Sequence, residues 1–376
     1  VREIEAWGRD TGGPRLDTVF IGGGTPSRVP AAHIGAALEA VRASFDLAPD
    51  AEVTIEANPQ SAEAERMEAW LEAGVNRLSL GLQSLDDGAL RFLERAHDAE
   101  EARGVFARAR RAGFENVSCD LIFAVPGLSL ERWREVLTEV LALGPEHVSA
   151  YELTPEPGTR LGADVAAGRT LLPEEGEQAE QYAAAEELLA AAGMRRYEVS
   201  NWSRPGRECR HNLAYWRGVP YAAAGAGAHA YLHLRGAREG LASPGQPGAF
   251  GVGEVPPVAA IALRRWNLAS PAAHIAAVEA GRAPVAGHEW SDLPTALAEL
   301  MMMGLRKEPG VDLAEAGELF GVDLEIVFGE ELAALRRDGL VEPRGQGAIR
   351  PTARGRRVLN GLAATFLPDA QRTPVR

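Results

Sequence analysis

Three consecutive glycines, Gly22-Gly23-Gly24, run into Thr25-Pro26-Ser27 directly after a short apolar stretch. Glycines there let the backbone approach a ligand closely and let several N–H groups converge on one polar or anionic group, which is a nucleotide or cofactor signal; a tight turn needing positive φ would demand the same residues. The segment is not a Walker motif, since no Lys-Ser/Thr follows, and it lacks the spacing of the dinucleotide fingerprint. Glu56 and Asp120, at the ends of two other apolar stretches, suit the hydroxyls of a ribose or the ammonium of an amino acid, because both offer donors to an ionised carboxylate. Gln83 closes a further apolar stretch, where a buried amide without a partner is costly. Arg95 is suited to bidentate pairing with a ligand carboxylate, and equally to a surface ion pair with Glu94 or Asp98.

These residues share a position in the sequence pattern. Apolar runs at 18–21, 53–57, 77–82, 117–123, 148–153 and 197–200 alternate with helical patterns at 31–44, 62–73, 99–112, 130–143 and 175–192, the latter mostly closed by Gly74, Gly113, Gly144 or Gly193. That rhythm predicts an α/β fold of βα units around a parallel sheet, a barrel or partial barrel, with chemistry at the C-terminal ends of the strands. The spacing therefore places the Gly-rich turn, Glu56, Gln83, Asp120 and Thr154 on one rim. Residues 1–201 form this unit, 202–290 a Gly/Pro-rich irregular connection with turns at Pro205-Gly206, Pro244-Gly245 and Pro247-Gly248, and 291–376 a C-terminal module. Helices at 295–306, 313–320, 325–338 and 354–363, with a hairpin around Gly345-Gln346-Gly347, predict a winged-helix-like domain.

The chain of 376 residues is long enough for two domains, and 46% hydrophobic with 24% charged residues is a globular balance. A formal net charge of −14 excludes a surface built to neutralise many phosphates, so nucleic acid is not an expected partner. The exception is local: residues 331–376 carry nine arginines against four acidic residues, so a DNA-reading wing competes with a small packing domain. Two cysteines exclude a disulfide framework and point to a cytoplasmic, reducing compartment, and no apolar stretch is long enough for a transmembrane segment.

Taken together, Gly-Gly-Gly-Thr-Pro-Ser, Ile55-Glu56-Ala57-Asn58-Pro59, the run from Asn76 to Ser84, Arg95-Ala96-His97 and Asp120-Leu121-Ile122-Phe123 resemble the radical S-adenosylmethionine family. The resemblance is to the branch holding oxygen-independent coproporphyrinogen III oxidase and its heme-chaperone relatives. It implies a partial (β/α)6 barrel, here lacking its first strand, and S-adenosylmethionine bound by Gly23, Gly24, Thr25, Glu56, Gln83, Arg95, Asp120 and, as a weaker match, Thr154. Two later segments, the run from Tyr197 to Trp202 and Cys209-Arg210-His211-Asn212-Leu213-Ala214-Tyr215-Trp216, resemble the chaperone side, where they are associated with heme. His211 suits iron ligation through a neutral imidazole and Tyr215 and Trp216 offer flat faces to a porphyrin, although a core histidine among packing aromatics would read the same way. His229, after a Gly-rich stretch, is a second candidate ligand.

The implied function is a heme chaperone handing heme to acceptors such as respiratory proteins, with the oxidative decarboxylase as the alternative. The family also implies a [4Fe–4S] cluster held by Cys-x-x-x-Cys-x-x-Cys after the first strand, and this sequence has no such motif: Cys119 lies in a predicted strand and Cys209 in a later loop. The expectation is that a segment carrying the three thiolates precedes Val1, with genuine loss of the cluster as the alternative.

Overall fold

The computed structural model describes residues 1–234, 251–252, 257–345 and 347–368. The predicted turns at Pro244-Gly245 and Pro247-Gly248, the hairpin tip at Gln346, and Asp369, Arg372 and Arg376 lie outside the described residues. Two compact units emerge, one comprising 17–38 and 50–209, the other 1–16, 39–49 and 210–376.

The first unit is built on a curled seven-stranded sheet: β1 (Arg15–Ile21), β2 (Asp46–Ala57), β3 (Arg77–Gln83), β4 (Val117–Phe123), β5 (His147–Glu152), β6 (Arg195–Arg196) and β7 (Asn201–Ser203), in the order β1-β2-β3-β4-β5-β7-β6. Neighbours from β2 to β5 run parallel, and β7 joins β5 antiparallel. The strands alternate with period two. Val53, Ile55, Leu78, Leu80, Val117, Cys119, Leu121 and Val148 are buried and belong to the core that also holds Met67, Trp70, Phe106, Trp133 and Leu137 of the flanking helices. Each such Leu or Val stabilises the fold by about 1.5–3 kcal/mol. The intervening positions are polar: Thr54, Glu56, Ser79, Ser118, Asp120, His147 and Ser149. A sheet with one apolar and one polar face is a scaffold whose second face is free for chemistry.

The sixth predicted strand, 197–200, is not a strand. Its residues form the turn between β6 and β7, closed by Tyr197 N–H donating to Asn201 O at 3.2 Å and by Ser200 N–H donating to the Glu198 carboxylate at 3.2 Å. A polar side chain that captures a nearby backbone donor competes with the sheet ladder, so the parallel winding stops at β5.

One device fixes the loop after β4. Ala124 has φ of 58°, a left-handed conformation rare for a residue with a Cβ. Its N–H donates to Gln181 Oε1 at 2.8 Å, while Gln181 Nε2 donates to Leu128 O at 2.9 Å. Gln181 is fully buried, so Gln181→Leu would leave an amide and a carbonyl without partners. We expect a loss of about 2 kcal/mol, read from denaturant unfolding followed by tryptophan fluorescence; a loss below about 0.5 kcal/mol would remove this role.

In the second unit, the described residues of 210–290 are regular where the sequence predicts an irregular connection. They contain the helix Arg210–Trp216, the helix Pro271–Glu279 and an antiparallel sheet of β8 (His229–His233), β9 (Ala262–Asn267) and β10 (Val285–Ser291), ordered β10-β9-β8. The strands carry His, Arg, Trp and Gly in place of a clean apolar alternation, which hid them in the sequence. The helix Arg2–Thr11 is fastened here: Glu3, 8% exposed, accepts from Gly225 N–H at 2.8 Å and Asn267 Nδ2 at 2.6 Å and pairs with Arg265 at 3.4 Å.

The C-terminal part places helices Leu293–Gly304, Leu313–Glu318, Leu324–Val327 and Gly329–Arg337 with β11 (Val311–Asp312), β12 (Val341–Arg344) and β13 (Ala348–Pro351), ordered β11-β13-β12, a winged-helix-like arrangement. Several of its arginines are committed internally. Arg336 pairs with Glu325 at 2.9 Å, Arg350 with Glu342 at 2.8 Å, and Arg344 donates to Glu308 O at 2.8 Å. Among the described residues no helix is long and apolar enough to cross a membrane.

Candidate functional site

The Gly-rich turn leaves β1 at Ile21 and brings Gly22 against β2. A Cβ on Gly22 would lie 2.5 Å from the Phe20 ring and 3.0 Å from the Glu56 carboxyl, so only glycine permits this approach. Gly23 follows with φ of 81° and donates its N–H to Glu56 Oε2 at 3.0 Å. A Cβ at Gly23 or Gly24 would meet nothing within 4 Å, so the turn presents bare backbone to open space beside a carboxylate. Thr25 is half-buried and caps the short 3-10 helix Pro26–Arg28 with its carbonyl, which accepts from Arg28 N–H at 3.0 Å.

Glu56 is itself perturbed. Burial pushes its pKa up from the ordinary 4.5, the Gly23 N–H works in the opposite direction, and the negative charge of Asp120 adds to the rise. The influence of the Asp120 charge on Glu56 puts the two carboxylates in one electrostatic neighbourhood. Asp120 is anchored by three hydroxyls: Ser79 Oγ donates to Oδ2 at 2.7 Å, and Ser118 Oγ and Ser149 Oγ donate to Oδ1 at 2.9 and 2.7 Å. The serines come from β3, β4 and β5, so three adjacent strands hold one carboxylate in a fixed orientation. Sequence reading missed them. Their signal was the alternate spacing of Ser118 with Asp120 and the registered pairs Ser79↔Ser118 and Asp120↔Ser149.

Gln83 ends β3 in the left-handed region, φ 63°, and its amide folds back over Gly81, since a Cβ built there would lie 2.9 Å from Gln83 Nε2 and 3.2 Å from Asn58 Oδ1. Such a conformation costs about 1–3 kcal/mol and persists where the surroundings demand it. Arg95 is solvent-exposed, and neither acidic neighbour neutralises it: Glu94 pairs with Arg160 at 2.7 Å, while Asp98 caps the next helix through Glu101 N–H at 2.8 Å. The part of the side chain that packs against the protein is desolvated, which lowers the Arg95 pKa from its ordinary value. Thr154 is exposed two residues beyond β5, its hydroxyl directed to Glu152 O at 3.4 Å, and is not drawn into this group. The structure thus joins Gly23 to Glu56 by a hydrogen bond, lets the Asp120 charge bear on Glu56, and sets Gln83 at the end of the strand between them. Carboxylates, an amide and a glycine turn open to solvent can bind a ligand that offers both hydrogen-bond donors and acceptors.

The heme-candidate residues belong to the other unit. His211 and Tyr215, four residues apart on the helix Arg210–Trp216, touch edge to face with ring centroids 4.9 Å apart, and Tyr215 meets Tyr221 at 4.5 Å. Tyr215 is 36% exposed. Trp216 closes the helix and, at about 100° per residue, falls on a different face from His211. His229 stacks on Trp266 at 5.9 Å, at the start of β8.

The residues present do not fit a three-thiolate cluster. Cys119 and Cys209 are both fully buried; burial pushes the Cys119 thiol well above its ordinary pKa, and Cys209 Sγ lies 3.5 Å from Glu52 Oε1. Among the described residues no group of three His, Cys, Asp or Glu is arranged to hold a metal ion.

Residues 1–140 match the Radical SAM superfamily, and residues 292–358 match the HemN C-terminal domain. The heme chaperone HemW of Mycobacterium tuberculosis is 33% identical over 365 residues, spanning 97% of this chain and 84% of that protein. The heme chaperone HemW of Bacillus subtilis is 32% identical over 360 residues, spanning 96% and 87%. Among solved structures, the coproporphyrinogen III oxidase HemN of Escherichia coli, a radical SAM enzyme, superposes with a TM-score of 0.71 at 19% identity, covering 94% of this chain and 78% of that one.

Proposed function

This chain belongs to the HemW-type branch of the radical S-adenosylmethionine family, and we propose that it is a heme chaperone that binds S-adenosylmethionine at the strand-end rim and heme at the helix Arg210–Trp216, passing heme to acceptor proteins. The observation that carries the cofactor half is the joint placement of Gly23, Glu56 and Asp120. Two carboxylates in one electrostatic neighbourhood beside a glycine turn match the amino and ribose hydroxyl groups of S-adenosylmethionine, which are donors. Gln83 and Arg95 extend the same site, the guanidinium suited to the ligand carboxylate. The contribution of this chain's own residues is to bind and orient the nucleoside.

The heme half rests on His211 as axial ligand with Tyr215 flanking it. Its test is a hemin titration followed at the Soret band. His211→Ala should weaken hemin binding at least about tenfold, or about 1.4 kcal/mol, and shift the band. An unchanged spectrum and affinity would remove His211 from the site. The oxidase reading is supported only by the fold resemblance at 19% identity, and no residue on the rim favours it.

A further inference from the structure

Beneath Asp120 the polar face of the half-barrel carries a continuous hydrogen-bonded chain that the cofactor reading leaves unused. Ser118 Oγ donates to Asp120 Oδ1 at 2.9 Å and lies 2.8 Å from His147 Nδ1. His147 Nε2 is 2.7 Å from the Tyr197 hydroxyl, and the Tyr197 oxygen accepts the Cys209 N–H at 3.3 Å. Ser118 and Cys209 are fully buried, His147 is 1% exposed and Tyr197 7%.

The donor count fixes the direction of every bond. The single Ser118 proton goes to the carboxylate, so its lone pair accepts from His147 Nδ1–H. Nε2 then carries the lone pair and accepts from the Tyr197 O–H, whose oxygen is left to accept from the Cys209 amide. A neutral imidazole is required, and burial together with the nearby Arg77 guanidinium lowers the His147 pKa well below its ordinary value. All dipoles in the chain point toward Asp120, so each bond polarises the next.

We infer that Ser118, His147 and Tyr197 are positioning residues that transmit the state of the Asp120 carboxylate to the backbone at Cys209, the residue before the helix that carries His211. An ionised, unliganded Asp120 draws the chain tight and strengthens the hold of Tyr197 on the Cys209 N–H. A ligand that donates hydrogen bonds or brings positive charge to Asp120 competes for the same electrons, and the hold at Cys209 weakens. This inference rests on the proposal that S-adenosylmethionine binds at the strand-end rim.

The test is amide hydrogen exchange read residue by residue by NMR on the whole chain, with and without S-adenosylmethionine. In the wild type the ligand should accelerate exchange at Cys209 about fivefold, the lower end of ordinary coupling between sites. In Tyr197→Phe, which keeps the ring beside His147 but removes the hydroxyl, Cys209 should exchange fast with or without ligand. In His147→Phe, which breaks the chain but leaves all three serine hydroxyls on Asp120, the ligand should still perturb Gly23 and Gly24 while Cys209 no longer responds, and this variant carries the test if Tyr197→Phe fails to fold. A Cys209 rate indifferent to ligand while Gly23 and Gly24 respond overturns the inference alone, as does a response that survives in both variants. Gly23 and Gly24 unmoved by saturating ligand in the wild type overturn the cofactor reading and the inference together.

Discussion

Asp120→Ala is expected to destabilise the half-barrel by about 4 kcal/mol and to abolish S-adenosylmethionine binding. The stability loss follows from the three hydroxyls that converge on the carboxylate, since Ser79, Ser118 and Ser149 are 8%, 0% and 3% exposed. Each buried hydroxyl left without its acceptor costs about 1–3 kcal/mol, and the sum is reduced because Ser118 retains His147. Asp120→Asn separates the two roles. Its carbonyl oxygen still serves Ser118 and Ser149, so the stability loss should fall to about 1 kcal/mol while the charge presented to a ligand is gone. Denaturant unfolding followed by fluorescence of Trp70, Trp133 and Trp202, all fully buried in this unit, reads the first effect. Calorimetric titration with S-adenosylmethionine reads the second. An Asp120→Ala protein as stable as the parent would mean that the serines find other acceptors, and undiminished ligand affinity in Asp120→Asn would remove the carboxylate from the site.

Much of this site was legible because chemistry and sheet geometry leave the same trace. An acidic residue at the end of an apolar run, as at Glu56, or inside one, as at Asp120, is costly unless something holds it, and the βα rhythm orders such strands side by side. What was not legible is what holds them. Ser79, Ser118 and Ser149 are small, common residues whose meaning depends on which strands lie side by side, and His147 and Tyr197 meet across 50 residues of sequence. The turn at 197–200 misled for a different reason: Tyr197 and Val199 favour a strand, and the local Glu198–Ser200 hydrogen bond competes with it. The sheet of β8 to β10 escaped because His, Arg, Trp and Gly interrupt any clean apolar and polar alternation in its strands.

Glu198 itself gives the second large effect, a stability that falls as pH rises from about 4.5 to about 7. Its carboxyl is 1% exposed, Oε2 accepts the Ser200 N–H at 3.2 Å, and Oε1 has no hydrogen-bond partner among the described residues. Burial pushes its pKa up to about 7, against the pull of the Ser200 N–H and of Arg196. The turn that carries it cannot easily move to solvate it, because Tyr182 Oη donates to Val199 O at 2.8 Å and Arg196 pairs with Glu186 at 2.8 Å. The sign follows from proton counting. Between the ordinary value of 4.5 and about 7 the folded protein keeps a proton that the unfolded chain has released, so raising the pH favours the unfolded chain. The contribution is intact below the unfolded value and is lost progressively up to the folded one, a total of about 3 kcal/mol. Glu198→Gln retains a carbonyl for the Ser200 N–H but cannot ionise. The variant should match the parent within about 1 kcal/mol at pH 5 and exceed it by about 2–3 kcal/mol at pH 8, in parallel unfolding series at both values. Equal slopes of stability against pH in the two proteins would show that Glu198 is already ionised in the folded state.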